Sequence, residues 1–384
     1  MSKGVFGAYG FDATAKQMFI PIREEAKKRG YGFEQIEPLD YELLVDNLEG
    51  YHDCDVLLIN PASLDSRAEI LLGSRAAQGT WPSFWLIEDV PYGAFREGAL
   101  ALAHLAEGVI AATDYSAVEA RKLGKYKAVE FLGLPQHWKT IYQSMMSFKD
   151  ARDEWRRGAR YKWVGGHSVP FRSDDFLLVV PGPKEYGAAN RLLAFALRAE
   201  RIIGERFVLA FAPHPGELAE AERIGKEKMF YDVILTGRER MLERVPNLEI
   251  NEERLLKLPC LYAIADLVLN NGGRSDDIPA AMARLPMMYW YNEATRQFLA
   301  ESGLFFVRDL GGGRIRREKG KWFVAELGAS WRFTTRTFTA GFQRMRDRGE
   351  AYRALHDAQE RYFPVPKVWN TAATLVDFLE RVVA

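Results

Sequence analysis

The segment with the most chemical potential is Asn270-Asn271-Gly272-Gly273-Arg274-Ser275-Asp276-Asp277-Ile278-Pro279, which directly follows the apolar run ADLVL. A Gly-Gly step leaves bare backbone amides at the start of a helix, where phosphate oxygens can approach closely. Asp276 and Asp277 fall in the first helical turn, where a carboxylate can accept hydrogen bonds from ribose hydroxyls. An acidic first turn also complements the helix dipole without any ligand. A second polar loop, Pro181-Gly182-Pro183-Lys184-Glu185-Tyr186-Gly187, opens another helix and places Lys184 to meet a phosphate. A third, Pro213-His214-Pro215-Gly216-Glu217, sets His214 at a strand end between two prolines.

Nearer the N-terminus, Gly10-Phe11-Asp12-Ala13-Thr14 joins a strand to a helix. Gly10 permits a tight turn, and Asp12 is either a polar site residue or, like Thr14, a helix N-cap. Glu88-Asp89-Val90-Pro91 follows the run SFWLI, and its adjacent carboxylates can supply a general base for an acceptor hydroxyl. Helix capping is the plainer reading of the same pair.

These loops need a scaffold that collects strand ends. Short apolar runs that do not alternate (GVFGAY, CDVLLIN, SFWLI, GVIAAT), separated by helix-length stretches, predict a parallel sheet covered on both faces. Residues 1–140 therefore read as one doubly wound domain. Residues 141–173, with SFKDARDEWRRGARYKW and GGHSVPFRSDD, carry no buried-strand signature and read as a charged helix and a hinge near Gly165–Gly166. The α/β rhythm restarts at FLLVVPG and continues through FVLAFA, DVILTG, ADLVLNN, LPMMYWY and GLFFV, predicting a second doubly wound domain over 174–362. From Trp331 onward only helical periodicity is visible, and a last helix lies within 363–384. In open α/β sheets ligands bind beyond the carboxyl ends of the strands, which is where all these loops fall.

Composition removes several classes. Lys+Arg and Asp+Glu number 52 each, so the 384-residue chain as a whole is no electrostatic nucleic-acid or membrane binder. Cys54 and Cys260 form neither a disulfide framework nor a zinc spacing. The N-terminus lacks a charged segment followed by a long apolar one, and no apolar run reaches the roughly 18–20 residues needed to span a bilayer. A cytoplasmic protein with no transmembrane segment is expected. No complete G-x-G-x-x-G follows a first strand, which disfavours a nicotinamide dehydrogenase.

The order strand–PGPKEYG–helix–strand–PHPGE, then ADLVLNNGGRSDDIPAA, resembles the C-terminal half of GT-B proteins. Closest in pattern are the non-hydrolysing UDP-N-acetylglucosamine 2-epimerases, with motifs of the form HRREN-x-G, HPNP and SGG-x-QEE-x-P. Lys184, Glu185 and Gly187 fall on the first motif, His214 and Pro215 on the second, and Gly272, Gly273, Asp276, Asp277 and Pro279 on the third. The phrase FLGLPQHW resembles the strand and turn that close the N-terminal GT-B domain. The N-terminal half departs from the epimerases, with INPAS and IEDVP where G-D-T and E-A-G-L-R loops are expected, and the first C-terminal motif lacks its His-Arg pair.

The resemblance implies two Rossmann-like domains facing a central cleft, with the C-terminal helix crossing back to the first domain. It implies a UDP-sugar-like donor held by Gly272 and Gly273, with Lys184, Arg274 or His214 on the diphosphate and Asp276 or Asp277 on the ribose. Glu185 and Ser275 complete the expected binding set. No metal and no cofactor are implied. Gly10 and the base candidates Asp12, Glu88 and Asp89 would serve an acceptor on the first domain. The expected reaction is glycosyl transfer, with UDP-sugar 2-epimerisation or hydrolysis as the alternative. A silent nucleotide-sugar binder is a third reading. The basic, aromatic stretches Lys149–Trp163 and Arg314–Trp322 leave room for an anionic polymer or nucleic-acid acceptor, as in phage-type DNA-modifying transferases. The expected state is monomer or homodimer.

Overall fold

The computed structural model describes residues 3–10, 13–35, 48–61, 66–89, 93–136, 160–163, 168–170, 172–182, 188–212, 240–244, 262, 265–270, 277–290, 305–309, 315–319, 329–364 and 370–384. The chain divides into two compact units. Unit 1 comprises Met1–Lys139, Gln297–Trp322 and Tyr362–Ala384; unit 2 comprises Thr140–Arg296 and Phe323–Arg361.

In unit 1 the strands are β1 (Val5–Gly10), β2 (Gly32–Gln35), β3 (Val56–Asn60), β4 (Ser83–Ile87), β5 (Gly108–Ala111) and β6 (Val129–Phe131). They form one sheet of order β2-β1-β3-β4-β5-β6, and every pairing is parallel. The helices are α1 (Ala13–Lys28), α2 (Arg67–Ala76), α3 (Glu97–Leu102) and α4 (Asp114–Leu123). A 3-10 turn spans Gly93–Phe95.

The absence of alternation in the sequence has a direct cause, since both faces of the sheet are covered. Leu57 and Ile59 of β3 pack with Leu72 of α2 and Leu102 of α3, whereas Val56 and Leu58 pack with Met18 and Ile22 of α1. Helix α4 is bounded as its sequence demands. Thr113 accepts a hydrogen bond from the Ser116 amide at 3.1 Å, and Gly124 ends the helix in the left-handed region at φ 65°.

Unit 2 contains β7 (Arg160–Trp163), β8 (Ser168–Pro170), β9 (Phe176–Pro181), β10 (Phe207–Ala212), β11 (Arg240–Arg244), β12 (Leu267–Asn270), β13 (Met287–Trp290) and, last in the chain, β16 (Trp331–Phe333). They form an eight-stranded sheet of order β16-β13-β12-β9-β10-β11-β7-β8. The strands from β16 to β11 run parallel, and β7 and β8 continue the sheet antiparallel. Renumbered within this unit, the parallel strands follow the 3-2-1-4-5-6 order of a Rossmann sheet. The helices are α5 (Ala188–Ile203), α6 (Asp277–Met282), α7 (Phe338–Arg346) and α8 (Glu350–Tyr362). Phe195 of α5 anchors an aromatic core with Trp290, Phe333 and Phe338, its ring centroid 5.0–5.7 Å from theirs.

Three segments differ from the sequence reading. The segment read as charged helix and hinge supplies two short strands, β7 and the edge strand β8, which extend the sheet beyond β11 through antiparallel pairing without a continuous apolar run. Trp331–Phe333 adds a short parallel strand where only helices were expected. The strand in GLFFV is β14 (Phe305–Asp309), which pairs antiparallel with β15 (Ile315–Lys319) in a separate hairpin of unit 1 rather than joining the second parallel sheet. The DVILTG run lies outside the described residues.

The last helix, α9 (Thr371–Val383), belongs to unit 1. Leu375, Val376, Phe378 and Leu379 complete the α1-side core, with Phe378 edge-on to Trp85 at 4.8 Å. Arg29, just past α1, bonds Asp377, Glu380 and the Ala373 carbonyl of α9 as well as Glu25 of its own helix. No helix among the described residues is long and apolar enough to cross a membrane.

Apolar burial outweighs that partly exposed ion network. Phe378→Ala should cost about 3–5 kcal/mol, against about 1 kcal/mol for Arg29→Ala, both read as lost hydrogen-exchange protection at the β1 and β3 amides. Equal losses would refute this ranking.

Candidate functional site

In unit 1 the strand order reverses around β1 and β3, so ligand-facing chemistry belongs at their carboxyl ends. These ends are Gly10 and Asn60, which are register partners. Gly10 is required by close approach: a Cβ there would lie 2.6 Å from the Ala15 Cβ of α1 and 3.0 Å from the Asn60 Cβ. Asp12 lies outside the described residues.

Glu88 and Asp89 leave the end of β4 and are both buried, at 2% exposure. Alternation along β4 sends them to opposite sides. Phe84 and Leu86 face the α2–α3 core, and Glu88 continues that side; Trp85 and Ile87 face the α1–α9 core, and Asp89 continues that one. The Glu88 carboxylate binds three elements at once. Its Oε1 accepts from the Ala94 amide at 2.6 Å, and its Oε2 accepts from the Ala112 amide at 2.8 Å and from the Ser116 hydroxyl at 2.7 Å. Burial pushes its pKa up to about 7, against the partial relief of these donors and the Arg96 charge. The Tyr126 hydroxyl donates to the Ala94 carbonyl beside it, and burial together with Glu88 raises that phenol's pKa.

Asp89 is held differently. Its Oδ1 accepts from Asn60 Nδ2 at 3.2 Å and faces an Arg96 guanidinium nitrogen at 3.4 Å, while no described residue donates to its Oδ2. Its carbonyl accepts from Gln136 Nε2 at 3.1 Å. Asn60 Nδ2 also donates to the Ile87 carbonyl at 2.7 Å, and Arg96 donates to the Pro61 carbonyl at 2.7 Å. Asn60, Arg96 and Ser116 were not singled out by the sequence reading. The one available signal was a polar residue closing the apolar run VLLIN.

In unit 2 the order reverses between β9 and β12. Their carboxyl ends are Pro181 and Asn270, the points from which the PGPKEYG and NNGGRSDD loops depart. The fold thus brings together at one switch point the starts of two loops separated by almost ninety residues. The third loop follows β10, the next strand along. Lys184, Glu185, His214, Gly272, Gly273, Arg274, Ser275 and Asp276 themselves lie outside the described residues. Asp277 is the first residue of α6. Of the two basic, aromatic stretches, the described parts are strands β7 and β15. Among the described residues no group of three or more His, Cys, Asp or Glu side chains could hold a metal ion.

No family model matches this chain, and no curated protein matches it in sequence. Solved structures match it along its whole length. MnaA of S. aureus, solved with UDP, is 13% identical with a TM-score of 0.57, covering 100% of this chain and 97% of that one. The UDP-GlcNAc 2-epimerase of Methanocaldococcus jannaschii, in complex with UDP-GlcNAc and UDP, is 10% identical with a TM-score of 0.51, covering 98% and 99%. MurG of Acinetobacter baumannii is 11% identical with a TM-score of 0.50, covering 98% and 99%. The chain has the GT-B fold, with its two Rossmann-like units.

The raised Glu88 pKa has a consequence with a definite sign. Its folded value of about 7 stands above the ordinary 4.5, so its contribution to stability is complete below pH 4.5 and is lost as pH rises through 7. Wild type should therefore lose melting temperature between pH 5 and pH 8 in part through this group. Glu88→Gln should show a shallower slope over the same window in calorimetry, and an unchanged slope would contradict the assignment.

Proposed function

We propose that this protein is a sugar-nucleotide enzyme, and specifically a glycosyltransferase that moves a sugar from a UDP-sugar-like donor to an acceptor hydroxyl. The observation that carries the reading is the second sheet: its 3-2-1-4-5-6 order starts the Gly-Gly loop and the Lys184 loop from the two strand ends at the switch point. The GT-B fold, shared with structures solved with UDP and UDP-GlcNAc, supports the same chemistry.

In this reading the Gly272–Gly273 amides and the Lys184, Arg274 or His214 side chains hold the diphosphate, and Asp276 or Asp277 holds the ribose. Glu185 and Ser275 complete the binding set, and neither metal nor cofactor takes part. Unit 1 carries the acceptor, and its general base is Asp89 or Asp12 rather than Glu88. Both Glu88 oxygens are engaged by donors from three elements, whereas Asp89 has one oxygen anchored and the other without a described donor. A carboxylate oriented through one oxygen can take a proton at the other.

A second reading, 2-epimerisation or hydrolysis of the UDP-sugar, is favoured by the likeness to the M. jannaschii epimerase. The loops INPAS and IEDVP, which stand where the epimerase pattern has G-D-T and E-A-G-L-R, weigh against it.

A thermal-shift screen of nucleotides against wild type and Asp277→Ala tests the donor site. A ligand at a hundred times its Kd adds about 2.7 kcal/mol, a shift of a few degrees. UDP and a UDP-sugar should stabilise wild type and not the variant; no shift with any nucleotide would remove the reading. Incubation with UDP-GlcNAc alone separates the two reactions, because an epimer or free sugar without added acceptor identifies the second one. Asp89→Asn should lower turnover by roughly 10²–10⁴-fold with UDP affinity unchanged. Unimpaired turnover would return the base role to Asp12.

A further inference from the structure

Helix α5 carries two arginines on one face, Arg191 and Arg198, seven positions apart, and their surroundings differ. The Arg198 guanidinium lies over Phe195 and Phe338, and its N–H groups are spent on the Thr335 carbonyl at 3.0 Å and the Thr339 hydroxyl at 3.3 Å. Arg191 is exposed, makes no ion pair or hydrogen bond among the described residues, and has its guanidinium carbon 5.8 Å from the centroid of Trp290.

The position of that ring fixes where the charge sits. Arg191 is in the first turn of α5, and helical side chains lean toward the N-terminus, so it points back toward the strand ends. Trp290 is the last residue of β13. Helix α5 follows β9, and β12 lies between β9 and β13 in the sheet. Arg191 and Trp290 thus meet on the α5 face of the sheet across β12, whose last residue, Asn270, leads into the Asn271-Gly272-Gly273 loop. The platform is rigid: Trp290 is 5% exposed and packs on Phe195, one turn further along α5, at 5.7 Å.

We infer that Arg191, carried on Trp290, is an anion-binding residue of unit 2 that takes a phosphate of the nucleotide. The inference rests on the sugar-nucleotide reading and assigns the charge partner to a residue outside the motif loops. Guanidinium suits the place because it stacks on an aromatic face while its in-plane N–H fork stays available for phosphate oxygens, and it stays charged at every working pH. Lysine offers a point charge with neither the stacking plane nor the fork.

The test compares UDP with uridine, since only the former has phosphates. Calorimetric titration of UDP, and ligand-observed magnetic resonance for the weaker nucleoside, are run on wild type, Arg191→Gln and Arg191→Lys. Arg191→Gln should weaken UDP binding by about tenfold to a hundredfold and leave uridine binding unchanged, with the salt dependence of UDP binding reduced. Arg191→Lys should fall between the two. The site is exposed, so both variants are expected to fold, and matching melting temperatures would check this. Wild-type UDP affinity in Arg191→Gln overturns the inference and leaves the functional reading standing, as does an equal loss of UDP and uridine. Failure of wild type to bind any nucleoside diphosphate removes the reading and the inference with it.

Discussion

Parallel strand pairing is the constraint on which the rest of this molecule depends. Parallel neighbours cannot be joined by a tight turn; each connection must cross back over a face of the sheet. The crossovers bury both faces, which is why β3 and β9 are apolar at consecutive positions. Every chain exit toward the next helix then falls on the carboxyl edge. Where the strand order reverses, adjacent exits turn to opposite faces and leave a crevice between them. Gly10 beside Asn60 in unit 1, and Pro181 near Asn270 in unit 2, are two outcomes of that one rule.

Unit 1 buries ionisable groups, an arrangement whose desolvation cost is offset only when partners are plentiful. Glu88 accepts from three donors on the 3-10 turn, the end of β5 and α4, so one carboxylate fixes the directions of three elements. Asn60 and Arg96 tie the ends of β3 and β4 together through Asp89 and the Ile87 and Pro61 carbonyls. Gly93 fits this packing because a Cβ there would stand 3.2 Å from the Glu88 side chain. Among the described residues of unit 2, Trp290 closes β13 and the Arg191 beside it is exposed.

The parallel sheets and the loops at their ends were legible in the sequence because buried runs such as VLLIN and FLLVVP carry their own signature. Short outer strands were not: β7, β8 and β16 owe their places to neighbours already in the sheet rather than to an apolar run of their own. The polar cluster escaped for a related reason. Asn60 and Asp89 stand 29 positions apart, and Glu88 and Ser116 stand 28 apart, so no local pattern announces either contact. Glu88 and Asp89 look interchangeable as neighbours in sequence. Only the alternation of the strand before them separates a carboxylate that clasps three elements from one that keeps an oxygen uncommitted.

That separation bears on how catalytic geometry is held. A base is effective when its orientation is set before the substrate arrives, because ordering it afterwards costs side-chain entropy. Asp89 meets this condition through neighbours that are themselves fixed: Asn60 by the Ile87 carbonyl, Arg96 by the Pro61 carbonyl. Arg191 meets it by another route, since stacking on a buried ring limits its rotamers while leaving its donors unspent. In each case the side chain that would meet the ligand is ordered by a partner that does not meet it. Sequence motifs, which record the residues that touch ligand, pass over such partners.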